Sequence, residues 1–176
     1  KPQGNRERRY IGRTDQPLCP QGREELRGKT VPEADRIIVS PLLRCRETAE
    51  ILYPGREAEI VDDLRETDFG AFENHTYEEL KDDPRYCAWL DSAGTAAPPV
   101  GESRAQQQER TVRAFRNVVA VCREDERMAL VVHGGTIMCL LEALDPSHRF
   151  YDWQAPNGGG YACTWDGERL TVVAVL

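Results

Sequence analysis

Three residues carry the types and settings that chemistry needs: His133, Arg44 and Glu66. His133 lies in MALVVHGGTIMCLLEAL, residues 128–144. The apolar run Met128–Val132 reads as a buried strand, His133-Gly134-Gly135 as a turn, and Thr136 onward as a helix. Ile137, Leu140, Leu141 and Leu144 share one face of that helix at three- and four-residue spacing. A histidine therefore stands where a strand ends and a helix begins. Gly134 and Gly135 let the backbone approach whatever binds there. The free N–H groups and positive dipole end of the helix favour an anion. Ligands of open α/β sheets collect outside the carboxyl ends of strands.

Arg44 sits in a unit of the same build. Arg36–Val39 is a short β-branched strand, followed by Ser40-Pro41 and a helix expected over Leu42–Leu52. Ser40 suits the N-cap and Pro41 the first helical position. Leu43, Thr48, Ile51 and Leu52 are expected to face inward. Arg44 then falls in the first turn, where its planar fork of donors suits the oxygens of a phosphate. Two strand–turn–helix units in one sheet bring Arg44 and His133 to the same edge, as a shared anion site. Glu66 lies in DDLRETDFGAFE between Leu64 and Phe69. A carboxylate held among apolar neighbours and close to bound phosphate can keep a proton and act as general acid. Asn5 and Arg13, in the arginine-rich opening, are further candidates for the phosphate pocket.

The rest of the chain must position these groups. Pro17–Gly28 reads as a turn and a short helix stopped by Gly28. Thr76-x-x-Glu79 and Ser103-x-x-Gln106 are capping boxes. The second opens a long amphipathic helix with Val112, Phe115, Val118, Val119 and Cys122 on its apolar face. Tyr86, Trp89 and the Ser92–Val100 loop are expected to border the pocket, the loop as a lid. Tyr161–Trp165 and Leu170–Leu176 flank Asp166-Gly167, a hairpin signal. The alternation implies a three-layer α/β/α sandwich with a mostly parallel mixed sheet, the hairpin completing it. The 176 residues read as one domain, 1–176.

Composition narrows the function classes. A net charge of −7 argues against a nucleic-acid partner. No apolar run approaches a membrane span and no secretory signal pattern opens the chain. The six cysteines form no CxxC or Cys/His cluster, which suits reduced thiols in the cytoplasm. No carboxylate cluster calls for a metal, and no cofactor is implied.

SPLLRCRETAEIL, DLRETDFGAFENHTYEEL, the proline-rich loop into GES, and VVHGGT stand in one order. In that order they resemble the histidine phosphatase superfamily, the phosphoglycerate-mutase-like group. The resemblance runs from Asn5 to the terminal hairpin and looks nearest to small bacterial phosphatases of the α-ribazole phosphatase type. It implies hydrolysis of a small phosphate monoester, with α-ribazole 5′-phosphate as a candidate, through a phosphohistidine and without a metal. Arg44 corresponds to the phosphate-binding arginine and His133 to the second histidine, which steadies the transferring group. Asn5 corresponds to the asparagine on the phosphoryl group, and Glu66 to the acid/base carboxylate. The family's nucleophile is a histidine in an Arg-His-Gly segment ending the first strand. Here the histidines are His75, His133 and His148, and none holds that place. The segment and its strand are expected upstream of Lys1. Two alternatives stay open: a non-catalytic phosphate-ester-binding relative without the nucleophile, and a phosphoglycerate mutase. The implied partner is a small-molecule phosphate monoester, with the protein a monomer or a homodimer paired through its hairpin edge.

Overall fold

The structure, a computed structural model, describes residues 1–145 and 147–176. Its centre is a parallel sheet of β1 (Arg36–Val39), β2 (Glu59–Ile60) and β3 (Met128–Val131), with β1 in the middle. Ile37 lies opposite Ala129 and Val39 opposite Val131, so alternate side chains of β1 and β3 face the same way. One face of the sheet meets α3 (Leu43–Leu52), where Ile37 and Val39 pack on Cys45 and Ala49. The other face meets α6 (Arg104–Val119), where Ile38 and Leu130 pack with Ala114 and Val118. The helix α7 (Gly134–Leu144) lies beside α6 and adds Leu140 and Leu144 against Phe115. Ile38 is wholly buried, a contribution of ~1.5–3 kcal/mol from its side chain alone. These are the three expected layers.

Four shorter α-helices are also described: α1 (Gln3–Arg6), α2 (Pro20–Arg27), α4 (Tyr77–Leu80) and α5 (Pro84–Asp91). Both expected capping boxes form. Thr76 accepts from the Glu79 N–H, Ser103 accepts from the Gln106 N–H, and each partner side chain reaches back. The α2 helix ends at Gly28 as expected, and Pro20 opens it behind a Cys19 N-cap.

Several details differ from the expectation. Ser40 does not cap α3; the N-cap is Leu42, with no side-chain bond. Ser40 is fully buried, and its hydroxyl turns to His133 instead. The buried face of α3 is Arg44, Cys45 and Ala49, while Leu43, Thr48, Ile51 and Leu52 are half-buried. The arginine-rich opening, for which no element is expected, contains α1, and Arg6 and Arg8 are exposed. Tyr86 is fully buried in an aromatic cluster with Phe72 and Leu80, so it is core. Trp89 packs against that cluster and does reach the cavity.

The hairpin is the largest difference. Antiparallel β4 (Tyr161–Trp165) and β5 (Leu170–Val175) form as expected, but as a separate two-stranded sheet. Trp165 and Leu170 anchor it on Phe115 and Leu140. Among the described residues β3 pairs only with β1, and β4 only with β5. Between those two edges runs a cavity of about 1590 Å³, bordered by Met128–Val132 on one side and 161–165 on the other. Apolar contact to the helices holds the hairpin in place, and no backbone ladder among the described residues joins it to the parallel sheet.

Candidate active site

The ends of β1 and β3 lie side by side, because the Ser40 N–H donates to the Val131 carbonyl (3.1 Å). That places Ser40 and His133 in contact, with Ser40 Oγ 2.7 Å from His133 Nε2. Cys45, on the first turn of α3, puts its sulfur 3.5 Å from the same ring nitrogen. His133 is 7% exposed and forms the N-cap of α7. Its pKa is held well below the ordinary 6.5, first by burial and then by the positive charges of Arg44, Arg110 and Arg13. The ring is therefore neutral in the free protein at neutral pH. Burial pushes the Cys45 thiol up to about 12, so it stays protonated and is no rival nucleophile.

The buried neutral imidazole has a consequence for stability. Unfolding releases it to its ordinary pKa, so below pH 6.5 the unfolded chain binds a proton that the folded chain refuses. Acid therefore favours unfolding through this residue. Urea unfolding at about pH 7 and about pH 5.5 is expected to show a loss of stability in the wild type that is smaller in His133→Gln.

Arg44 is buried, and its guanidinium ties the loop after α1 to the first turn of α3. Nη1 donates to the Thr14 carbonyl (2.9 Å), and Nη2 to the carbonyls of Gly12 (2.7 Å) and Ile11 (3.4 Å). These bonds leave Nε–H and one Nη1–H without a protein partner among the described residues. The same loop wraps a carboxylate. The N–H groups of Gly12, Arg13 and Thr14 and the Thr14 hydroxyl all donate to Glu73. Gly12 has to be glycine here, since a Cβ would stand 1.8 Å from the Thr67 carbonyl oxygen.

Glu66 lies across the N-terminus of α7. Its Oε2 accepts from the Gly135 N–H (3.1 Å), and its Oε1 from the Thr67 N–H (2.8 Å) and from Gln107 Nε2 (3.2 Å). The surroundings are thus a set of polar donors, not the expected apolar cage. Its backbone is fixed as well. Arg110 Nη2 donates to the Glu66 carbonyl (3.0 Å) and Arg110 Nη1 to the Arg65 carbonyl (2.8 Å). Thr136 of α7 also donates to the Arg65 carbonyl (3.2 Å).

Arg44, His133, Glu66, Asn5 and Gly134 all border the one cavity. Asn5 does so from exposed α1, and Gly134 from the helix N-terminus with open space around it. Arg13 does not line it; its guanidinium lies 3.6 Å from Glu102, which Arg110 also holds. His75 and His148 lie elsewhere, both exposed. Gln107, Thr67 and Ser40 join the site without a local signal that marks them as functional, whereas Gly135 stands in the glycine pair expected there. Gln107 reads as one polar residue of an amphipathic helix, and only its burial sets it apart.

A buried arginine, a neutral histidine at a helix N-terminus and a carboxylate thus border the same cavity. Chemically, such a set can offer positive charge and donors to phosphate oxygens, with a carboxyl group nearby. The family model of the histidine phosphatase superfamily (branch 1) matches residues 1–176. A probable phosphoglycerate mutase GpmB of Klebsiella pneumoniae (strain 342) is 32% identical over 156 residues, covering 81% of this chain and 69% of that one. An adenosylcobalamin/alpha-ribazole phosphatase of Salmonella typhimurium is 30% identical over 114 residues, covering 62% and 56%. The crystal structure of phosphoglycerate mutase from Thermus thermophilus superposes with a TM-score of 0.75 at 32% identity, covering 99% of this chain and 94% of that chain. The chain belongs to the histidine phosphatase superfamily, whose enzymes act on phosphoric monoesters through a phosphohistidine. Among the described residues no helix is long and apolar enough to cross a membrane.

Proposed function

We propose that the protein is a cytoplasmic phosphatase for a small phosphate monoester, with α-ribazole 5′-phosphate among the candidates. The observation that carries this is the meeting of Arg44, His133 and Glu66 at the carboxyl ends of β1 and β3. In the first step a histidine nitrogen bonds to phosphorus as the ester P–O bond breaks, and Glu66 gives its proton to the departing alkoxide. In the second, water attacks the phosphohistidine, Glu66 takes the water's proton, and inorganic phosphate leaves. Arg44 and His133 hold the equatorial oxygens in both.

In this reading the nucleophile is the family's histidine of the Arg-His-Gly segment, a place that none of His75, His133 and His148 holds. The cavity that Arg44, His133 and Glu66 line also runs along β3 and β4, which share no ladder among the described residues.

The test is intact-protein mass spectrometry of the complete gene product, before and after brief mixing with a reactive aryl phosphate. An acid-labile phosphoryl adduct with release of phosphate is expected. Tight binding of the ester with no adduct and no turnover would overturn the enzyme reading in favour of a binding protein. The acid role has its own test in Glu66→Gln. Alkyl phosphates, whose leaving groups need a proton, are expected to slow by about 10²–10⁴-fold, and p-nitrophenyl phosphate far less. Equal slowing of both would remove Glu66 from that role.

A further inference from the structure

Glu66 is held by more than backbone. Gln107 of α6 is 2% exposed, and both ends of its amide are used. Thr67 Oγ1 donates to Gln107 Oε1 (2.7 Å), and Gln107 Nε2 donates to Glu66 Oε1 (3.2 Å). The Thr67 hydroxyl is also 3.3 Å from Glu66 Oε1, but its one proton goes to the shorter partner. The carboxylate sets the direction of the relay, because a reversed amide would turn its own oxygen on Glu66. The opposite side of Glu66 is closed by α7. A Cβ on Gly135 would stand 2.2 Å from Glu66 Oε1, 2.9 Å from Thr67 Oγ1 and 3.0 Å from Gln107 Nε2. All three groups are packed around the bare Cα of Gly135, so the carboxylate has one place to lie.

A buried primary amide that spends its donor and its acceptor on the immediate surroundings of the acid is costly to place unless it is fully bonded. Proton delivery to a leaving oxygen is sensitive to displacements of about 1 Å. We propose that Gln107 is a positioning residue for Glu66: it fixes the carboxyl group, through the Thr67–Gln107–Glu66 relay, at the angle from which the leaving oxygen is protonated. This rests on the reading of Glu66 as the acid.

A double-mutant cycle on the complete gene product tests it. Gln107→Leu removes both polar ends. Gln107→Glu keeps the shape but replaces the donor that faces Glu66 with the oxygen of a second carboxyl group. Each is made in the wild type and in Glu66→Gln, and kcat and KM are measured with an alkyl phosphate and with p-nitrophenyl phosphate. Both single variants are expected to lower kcat for the alkyl ester by about tenfold or more, the range for a bond to a charged group, with KM little changed. The aryl ester should be nearly unaffected. In the Glu66→Gln background neither change should lower kcat for the alkyl ester further, because the group that Gln107 serves is gone. Equal slowing of the two esters by Gln107→Glu, or losses that add to Glu66→Gln, would overturn the proposal. If Glu66→Gln itself slows both esters alike, the acid reading fails first, and that result is told apart by the single Glu66 variant alone. Should Gln107→Leu not fold, Gln107→Glu carries the cycle.

Discussion

Replacing His133 with alanine is expected to lower kcat for a phosphate monoester by about 10²–10³-fold, the loss of ~2.7–4 kcal/mol seen when one preorganised donor is removed from a transition state. The size follows from the setting. The ring is 7% exposed and stands at the N-terminus of α7, with Ser40 fixing one of its nitrogens at 2.7 Å. A ring already held in place needs no reorganisation when charge develops on the phosphoryl oxygens. Burial and the nearby arginines keep it neutral in the free protein, so it contributes an N–H without adding a further positive charge beside Arg44. Steady-state kinetics with p-nitrophenyl phosphate check the prediction, alongside circular dichroism to confirm folding. Glu66 acts only where the leaving group needs a proton, whereas His133 acts on the phosphoryl group itself. The His133 loss should therefore be the same for alkyl and aryl esters. Wild-type turnover, or a loss confined to alkyl esters, would show that the histidine does not touch the transferring group.

The features legible in the sequence share a cause. Local rules place them: the capping boxes at Thr76 and Ser103, the apolar face of α7, and the strand–turn–helix that puts His133 at a helix N-terminus. Arg44 is legible because a short strand, a turn and a helix leave its position little freedom. What escapes a sequence reading is set by contacts far apart in the chain. Ser40 reads locally as an N-cap, but its hydroxyl is taken by a residue 93 positions away. Glu66 reads as flanked by Leu64 and Phe69, but the partners that matter arrive from Gln107 and Gly135. The hairpin reads correctly as a hairpin, since its pairing is local. Its place in a common sheet depends on backbone partners that neither β3 nor β4 supplies to the other.

Arg44→Ala is expected to cost more than His133→Ala, because this side chain carries two burdens. One is charge at the phosphate. Its Nε–H and one Nη1–H are uncommitted among the described residues and the group borders the cavity, so its charge and a free N–H can serve a phosphoryl oxygen. The other is the shape of the site. The bonds from Nη1 and Nη2 to the carbonyls of Thr14, Gly12 and Ile11 clamp the loop that carries Arg13 and closes over Glu73 and Thr67. Hydrogen bonds to a charged group are worth ~1.5–3 kcal/mol each, and removing the donor leaves those carbonyls without their buried partner. Activity is therefore expected to fall by more than about 10³-fold, beyond the effect of a single donor. Urea unfolding should also show a stability loss on the order of 2–3 kcal/mol, at the upper end for an ordinary substitution. Arg44→Lys separates the two burdens. Lysine restores charge but has no planar fork to span Thr14 and Gly12, so it should recover part of the affinity for inorganic phosphate while leaving kcat and stability low. Full recovery with lysine would mean that charge alone is needed and that the loop is held by Glu73. Loss of stability without loss of kcat in Arg44→Ala would mean that the arginine serves only the loop.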